Sequence, residues 1–429
     1  MAVTRSKNGT AGKASDIIGK MKYFRSILAV ILLSLVQPAS LAETWTDIVI
    51  LCKANNNSIL GAKKQLEANR WSYYKTLGSF LPQVSASMSI GEASSDTSAR
   101  AATSSYGLSA TQSLFSGFSN INTSRKAYAQ LNYYEAGLNK TVSDSLYDAR
   151  GAFVDTRISE ENITLQEQIF KRRKDNNDLI QLRYESGRED KGNLMLTQAD
   201  KLDAQYNVEA AKRAHALAQV KLSQVIGKSI SKIELDEKVL KKTRPDFDRL
   251  IETAPSYLMS KYTLESARID SQSTVSGFLP GISLSAGIRN SGGIWPPSSR
   301  SNSWSVSLSY PFFPGGTNIT DVLIKANALE KANQDFENIK KQLRYGVEAA
   351  YIDLENKLEA LEVAQFFLKT AAERAMIARA KYMNGLMSYD DWDRIENSYI
   401  TAGKSLLNAK RSALLSEAAW YNSYGGYKE

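Results

Sequence analysis

The hydrophobic pattern is dominated by two long stretches that contain no proline, residues 119–186 and residues 318–384. Read as single helices at 1.5 Å per residue, each would be roughly 100 Å long. Within the second stretch, apolar residues recur every eleven positions, which is close to three helical turns and keeps them on one face of a nearly straight helix. The clearest series is Ile339, Ala350, Leu361 and Ala372. The pattern predicts two long helical rods.

Strict alternation of apolar and small polar residues marks two pairs of strands. The predicted hairpins span residues 82–112 and 280–310, and a long polar loop is expected in each, at 91–104 and 289–302. One face of the strands is apolar and the other is rich in serine. The apolar face includes Val84, Met88, Leu284 and Val306, and the serine face includes Ser85, Ser87, Ser283 and Ser305.

The composition of the serine face bears on the environment of these strands. A strand with one apolar face suits either a sandwich that is half exposed to water or a barrel with lipid outside and a wet lumen. A soluble surface would carry lysine and glutamate, so the serines favour the barrel, with the apolar set facing lipid and the serine set facing the lumen. Because four strands cannot close a barrel and open edges do not survive in hydrocarbon, the chain must oligomerise. Eight and twelve strands both remain open at this point.

The second half of the chain repeats the first at an offset of 198 residues. For example, the sequence Phe-Leu-Pro at residues 80–82 recurs at 278–280, and Tyr184 and Gly187 recur as Tyr382 and Gly385. We predict a tandem duplication, with repeats at 43–227 and 255–429 and a charged linker or equatorial segment at 228–254. In the first repeat, shorter helices at 45–77 and 194–226 are expected to stack end to end beside the rod. The predicted fold is α+β and mostly α, with four long-helix segments and four transmembrane strands.

The N-terminus resembles a secretory signal. Basic residues precede an apolar run at 27–36, and Ser40 and Ala42 supply small residues for cleavage. The apolar run is too short to span a bilayer as a helix. We predict a signal peptide at residues 1–42 whose natural start is Met21, because a signal of ordinary length begins there. The protein is therefore expected to be exported.

Composition excludes several kinds of chemistry. The chain contains one histidine and one cysteine, too few for a zinc site built from these ligands or for a disulfide framework. His215 lies between two alanines of a predicted helix, and Cys52 is interpreted as a small buried hydrophobe. The formal net charge of +9 falls to about +4 without the signal, so no nucleic-acid partner is predicted. We predict no enzyme activity, no catalytic residue, no metal site and no cofactor.

Several motifs together resemble the TolC family of outer-membrane efflux and secretion channels. They are the sequence of residues 80–85, the strand-closing residues 114–117 and 311–316, and Tyr-x-x-Gly at the ends of both rods. The resemblance implies a homotrimer with a twelve-stranded barrel in the Gram-negative outer membrane, in contact with its lipid and continuous with a periplasmic α-helical barrel. It also implies a passive exit duct for a tripartite efflux pump or a type I secretion system. The alternative is a soluble periplasmic coiled-coil scaffold, which would not explain the serine-lined strands.

The resemblance assigns the partners to the helical tips. A periplasmic adaptor protein is expected to bind there and to connect the channel to an inner-membrane pump of RND or ABC type. Glycine at the end of each rod is placed to stop a helix, which locates the tips where the chain reverses. The predicted docking residues are Tyr184, Gly187, Arg188 and Gly385.

The resemblance also predicts a periplasmic gate, because an aspartate at the position of Asp391 lines the entrance in the family. Met387 stands where an arginine of the closing network is expected, Asn193 replaces an acidic partner, and Arg394 occupies a second acidic position, so these residues do not reproduce the family's usual closing salt bridges. A second interpretation is that Ser388 caps a helix whose first turn favours acidic residues. The predicted gate residues are Asp390, Asp391, Asp393, Tyr382 and Asn193.

Overall fold

The computed structural model describes residues 44–95, 98–229 and 244–427. The predicted signal peptide and residues 230–243 of the predicted linker lie outside the described residues. The helices are α1 (Trp45–Asn55), α2 (Asn57–Leu77), α3 (Ser119–Glu185), α4 (Lys191–Ile226), α5 (Phe247–Glu252), α6 (Pro255–Ser273), α7 (Thr317–Met383) and α8 (Tyr389–Ser423). The strands are β1 (Gln83–Ser95), β2 (Ser98–Ser116), β3 (Gly281–Gly292) and β4 (Ser299–Ser309).

The two predicted rods are confirmed as α3 and α7, each of 67 residues. Each begins after a residue with positive φ, Phe118 at 68° and Gly316 at 80°, and each ends before a glycine with positive φ. Identical length and matching ends agree with the repeat in the sequence. None of the helices in the described ranges combines the length and the apolar composition that crossing a membrane requires.

The predicted single helix at 45–77 is wrong, because the chain breaks at Asn56 between α1 and α2. Asn56 has an extended backbone, and its side-chain oxygen accepts hydrogen bonds from the N–H groups of Ser58 and Ile59. Its amide nitrogen donates to the carbonyl oxygen of Val225 at 2.8 Å. Asparagine is a preferred helix cap, so one side chain both starts α2 and ties it to the end of α4.

The helices form a wall in which α3 has neighbours on both sides. Near the sheet α3 packs against α2 and α6, and farther from the sheet it packs against α4 and α8. Helix α7 packs against α6 and then α8, and it lies at one edge of the wall. The end of α8 meets the start of α6, since a Cβ added to Gly425 would lie 2.3 Å from Cδ of Pro255. Together with the Asn56 hydrogen bond, this contact confirms end-to-end stacking of the shorter helices.

The main core surrounds the middle of α3. It joins Ile48 and Cys52 of α1, Phe153 of α3 and Ile226 of α4, all fully buried. This confirms the interpretation of Cys52 as a buried small side chain, and burial, with the carboxylate of Asp148, raises the pKa of its thiol to about 11.

A second core cluster involves the end of the predicted linker. The described part of this segment contains the short helix α5. Phe247 and Ile251 of α5 pack against Val347 and Tyr351 of α7 and against Trp420 of α8. The segment therefore adds a layer to the wall at this height.

The four strands form one antiparallel sheet in the order β1-β2-β3-β4. The predicted hairpins are confirmed, but the long polar loops are wrong. Strand β1 continues to Ser95, which pairs with Ser98, and the second loop is reduced to residues 293–298. Main-chain pairing continues through polar residues, because backbone groups form the ladder whatever the side chains are.

Candidate functional site

The register of the sheet separates two continuous faces. Rows of paired residues cross all four strands, and consecutive rows point to opposite faces. One apolar row is Val84, Ala110, Ala286 and Trp304, and the next row, on the other face, is Ser85, Ser109, Gly287 and Ser303. Met88, Leu284 and Val306 share the apolar face, whereas Ser87, Ser283 and Ser305 share the serine face. The structure therefore groups the strand residues into the two predicted sets.

The two faces also differ in exposure and hydrogen bonding. Along β3, Ser283, Ser285 and Gly287 of the serine face are half buried, whereas Leu284, Ala286 and Ile288 of the apolar face are exposed. Serine hydroxyls bond across strands, with Ser85 Oγ 2.8 Å from Ser109 Oγ. On the apolar face Trp304 is 77% exposed. A contiguous apolar surface of this kind marks a contact with lipid or with protein.

Aromatic residues cluster where the sheet meets the helices. Phe312 and Phe313, between β4 and α7, are almost fully exposed, and Tyr310 beside them is half exposed. Phe118 and Phe80 are exposed at the corresponding junctions of the first repeat. Exposed aromatic rings beside an apolar band are typical of the boundary between a membrane and water.

The two helical tips have the same backbone geometry. At the first, the N–H of Gly187 donates to the carbonyl of Tyr184 at 2.9 Å, and the N–H of Arg188 donates to the carbonyl of Arg183 at 2.8 Å. The second tip repeats this Schellman motif at Gly385, and both glycines have φ near 70°. The predicted helix-stopping role of these glycines is confirmed.

The equivalent tyrosines of the two tips differ in burial. Tyr184 is 40% exposed, whereas Tyr382 is 2% exposed and stacks on Trp392 with ring centroids 4.6 Å apart. The guanidinium of Arg183 lies 4.5 Å from the ring centre of Tyr382. Burial and the neighbouring carboxylate of Glu189 raise the pKa of Tyr382 well above its usual value, so Tyr382 keeps its hydroxyl proton.

Glu189 joins two of the predicted gate residues and was missed by the sequence reasoning. The Tyr382 hydroxyl donates to one carboxylate oxygen of Glu189, and Asn193 Nδ2 donates to the other at 2.9 Å. The position of Glu189, two residues after the helix-stopping Gly187, is the signal in the sequence that could have found it.

The predicted gate aspartates do not form one cluster in the protomer. Ser388 Oγ accepts from the N–H of Asp391 at 3.2 Å, which confirms the capping interpretation. Hydrogen bonds from Ser388 and then Arg394 hold the pKa of Asp391 below its usual range. Asp390 is exposed, and Asp393 pairs with Arg173 at 2.9 Å. Their role in a gate therefore stays a prediction.

A network of ion pairs links three helices above the tips. Arg172 of α3 pairs at 2.7 Å with Glu396 of α8, whose carboxylate is buried. Next to it, Arg173 bridges Asp393 of α8 and Asp200 of α4, the latter at 3.1 Å. Burial raises the pKa of Asp200. The adjacent arginines on one helix were the signal in the sequence, and their partners could not be identified from it.

His215 has structural partners. Its Nδ1 lies 2.9 Å from Ser159 Oγ, a contact that links α4 to α3. Its Nε2 lies 3.0 Å from the side-chain nitrogen of Gln219, one turn further along α4. Ser159 also donates to the carbonyl oxygen of Thr156 at 2.7 Å. In the part of the chain that the structure describes, no group of three or more His, Cys, Asp or Glu residues could hold a metal ion.

Comparison with known proteins shows which family and which solved structures share this architecture. The family model described as "Outer membrane efflux protein" matches residues 50–228 and 247–426. Outer membrane efflux protein BepC of Brucella suis is 20% identical over 406 residues, or 89% of each chain. The CusC crystal structure is similar with a TM-score of 0.81 at 17% identity, covering 91% of this chain and 95% of CusC. The Campylobacter jejuni CmeC outer membrane channel gives a TM-score of 0.78 at 16% identity, covering 89% and 85%.

These matches extend over both the sheet and the helices, and they confirm the predicted resemblance and the mostly helical fold. They also decide between the two functional hypotheses, in favour of a channel and against a soluble scaffold. The matched family consists of channel proteins and not of enzymes. The chain belongs to the outer membrane efflux protein family and is an efflux channel of the outer membrane that extends into the periplasm.

Proposed function

We propose that three copies of the chain close a twelve-stranded barrel above a helical tube, which serves as a passive exit duct. The observation that carries this proposal is the sheet itself. It has two open edges, at β1 and β4, one bare apolar face and one serine face. An open sheet with a lipid-facing side is not stable in hydrocarbon, so β4 of one protomer must pair with β1 of the next.

The helical wall has two unpartnered edges that match this arrangement. Helix α7 exposes apolar residues at one edge: Ile319, Leu323, Tyr345, Val363, Phe366 and Phe367. Helices α2 and α4 expose a second set at the other edge: Leu60, Trp71, Tyr74, Leu202, Tyr206 and Leu217. In a closed ring, α7 of one copy would cover α2 and α4 of the next, which removes both apolar surfaces from water.

The faces of the sheet give the orientation of the barrel wall. The apolar set of Val84, Met88, Leu284 and Val306 would contact outer-membrane lipid, and the serine set of Ser85, Ser87, Ser283 and Ser305 would line the lumen. The exposed aromatic residues at the sheet–helix junction would lie at the periplasmic boundary of the membrane. This orientation directs the two helical tips away from the membrane, into the periplasm.

The tips would both bind the adaptor and close the duct. Tyr184, Gly187, Arg188 and Gly385 form the exposed ends of the two helix pairs, where a periplasmic adaptor could reach them. A passive duct has no energy source of its own, so an inner-membrane pump of RND or ABC type would supply the energy through this adaptor. Membership of an efflux family favours a tripartite efflux pump over type I secretion.

Closure would depend on contacts between the two helix pairs of each protomer. The first helix pair, α3–α4, is tied to the second, α7–α8, by the bond from Tyr382 to Glu189 and by the ion pairs of Arg172 and Arg173. These contacts replace the arginine that is missing at Met387. The predicted aspartates Asp390, Asp391 and Asp393 would border the mouth, and opening would require the inter-pair contacts to break.

The proposal is tested by reconstitution of the mature protein in planar lipid bilayers. Trimers in mild detergent should insert and give discrete conductance steps, because the closed barrel spans the bilayer. A monodisperse monomer that produces no conductance would contradict the proposal.

The docking role of the tips is tested separately in cells that lack their own copy of the gene. Gly385→Val should abolish export while trimers still form, because a β-branched residue is strained at a φ of 71°. Gly346→Val is the matched control, since Gly346 lies inside α7 and nothing lies within 4 Å of an added Cβ at either glycine. Normal export with Gly385→Val would mean that the adaptor binds elsewhere.

A further inference from the structure

We infer that Arg289 forms a ring of positive charge inside the outer half of the barrel, and that this ring binds polyvalent anions in the duct. The inference rests on the proposed trimer, which would bring three copies of Arg289 around one axis. Arg289 lies eight residues after the start of β3, or roughly 25 Å along the strand from the end that joins the helices. It is therefore close to the hairpin end of the sheet.

The register places Arg289 on the serine face. It pairs with Gly107 of β2 and with Ser301 of β4, in the rows that continue the serine set. Glu92 and Arg300 lie on the opposite, apolar face, where Arg300 pairs with Asn290. Among the strand residues whose side chains the structure describes, Arg289 is thus the charged residue of the serine face.

The local structure holds the Arg289 side chain against the sheet. A Cβ on Gly107 would lie 2.6 Å from the carbonyl oxygen of Ile288 and 3.3 Å from Cβ of Arg289, so the two strands approach closely at this point. Nη2 of Arg289 donates to Oγ of Ser105 at 2.8 Å, and Ser105 is buried. A guanidinium fixed by a neutral hydroxyl keeps its charge and its other N–H donors available for a ligand.

The surroundings leave this charge uncompensated. Within the described part of the chain Arg289 bonds to a serine hydroxyl and forms no ion pair with a carboxylate, and the neighbouring rows of the serine face contain serine, glycine and threonine. Twelve strands spaced about 4.8 Å apart and tilted by about 40° would enclose a barrel roughly 24 Å across. Its axis would lie about one Debye length, roughly 10 Å at 0.1 M salt, from the wall.

The chemistry of the ring points to phosphate, sulfate or carboxylate groups. Guanidinium groups bind such planar or tetrahedral oxyanions through paired hydrogen bonds. The predicted acidic mouth at Asp390 and Asp391 carries the opposite sign, so cations and anions would interact at opposite ends of the duct. Arg289 is thereby assigned a role in the selectivity of the outer exit.

The test uses ferrocyanide, a tetravalent anion, in single-channel recordings at 0.1 M KCl. Added on the side of the hairpin loops, ferrocyanide should block the wild-type current, and Arg289→Ala should weaken the block about tenfold, because the ring attracts anions. Arg289→Lys should retain most of the block. Arg300→Ala is the matched control, since it removes the same charge from the opposite face of the adjacent strand and should leave the block unchanged.

The outcomes separate this inference from the proposed function. Conducting wild-type channels that ferrocyanide does not block would overturn the inference and leave the duct intact. Equal block of wild type and Arg289→Ala, or equal loss in Arg289→Ala and Arg300→Ala, would also overturn it. A wild-type protein that forms no conducting channel would overturn the proposed function itself. The reversal potential in a KCl gradient gives a second readout, because Arg289→Glu should shift it towards cation selectivity whereas Arg300→Glu should not.

Discussion

Helices α3 and α7 have the same length and end in the same motif, yet they are buried to very different extents. Helix α3 has buried positions along its whole length, from Asn122 to Ile180, and many of them are small or polar. Helix α7 is buried only around residues 347–354 and 375–382. The cause is position, since α3 has helices on both sides and α7 lies at the edge of the wall. Two copies of one sequence pattern thus have different roles, one inside the protomer and one at its boundary.

The strongest test of this contrast compares two phenylalanines. Phe153 of α3 is fully buried, whereas Phe366 of α7 is 71% exposed. Phe153→Ala should lower the free energy of unfolding by about 3–5 kcal/mol, because it leaves a cavity in the core. Chemical denaturation in detergent measures this loss.

Phe366→Glu is the counterpart at the edge of the wall. It should leave the helical content of the protomer intact and reduce the yield of trimer, because a charge would enter the contact between copies. Circular dichroism and size-exclusion chromatography separate the two effects. If Phe366→Glu unfolded the protomer, or if Phe153→Ala left the unfolding free energy unchanged, the contrast between the two helices would be wrong.

The two faces of the sheet provide the next comparison. Val306→Arg should cost roughly 2–4 kcal/mol if Val306 faces lipid near the middle of the membrane. Ser305→Arg, one residue away on the other face, should be tolerated because its side chain would extend into a wet lumen. The yield of heat-modifiable trimer after insertion into lipid vesicles measures both. If both variants reduced the yield of trimer equally, a sandwich packed on both faces of the sheet would be favoured.

The two tips are compared through their tyrosines. Tyr382→Phe removes the donor to Glu189, a hydrogen bond to a charged group worth about 1.5–3 kcal/mol, and should raise the open fraction of the channel. Tyr184→Phe, at the equivalent but exposed position of the first tip, should leave the open fraction unchanged. Folding raises the pKa of Tyr382, so the contribution of its protonated hydroxyl to stability is complete below the pKa of about 10 that tyrosine has in the unfolded chain. This contribution is lost only as the pH rises above that value. Single-channel recordings that showed the same open fraction for both variants would exclude this lock.

The smallest expected effect on stability is at Asp391. Asp391→Asn should relieve block by a trivalent cation at low salt, because three copies would border one mouth. Its side chain is half exposed, so thermal stability should fall little. An unchanged block with lowered stability would leave Asp391 with its capping role alone.

The parts of this structure that the sequence predicts depend on local signals. The rods follow from apolar periodicity and the absence of proline, the strands from alternation, and the tips from Gly187 and Gly385. Each of these signals lies within one element, so it survives whatever the element packs against. The repeat added the correspondence between halves, including the matching ends of α3 and α7.

The remainder depends on contacts between residues far apart in the chain. Arg172 meets Glu396 from 224 positions away, and Tyr382 meets Glu189 from 193. Asn56 breaks a helix partly because its amide reaches Val225; the three consecutive asparagines at 55–57 favour a cap here but do not by themselves decide between a break and a continuous helix. The buried stripe of α3 contains small and polar residues, so an apolar pattern could not reveal it. Such features can be identified only when the positions of the neighbouring helices are known.

In the proposed trimer one chain supplies a third of the barrel wall, and its open edges are covered by further copies. Native mass spectrometry of the mature protein, extracted in mild detergent without cross-linking, measures the number of chains in the assembly. We expect a single dominant species of three chains that dissociates on heating. A dominant species of one chain, with the apolar faces of β1–β4 and α7 left uncovered, would contradict it.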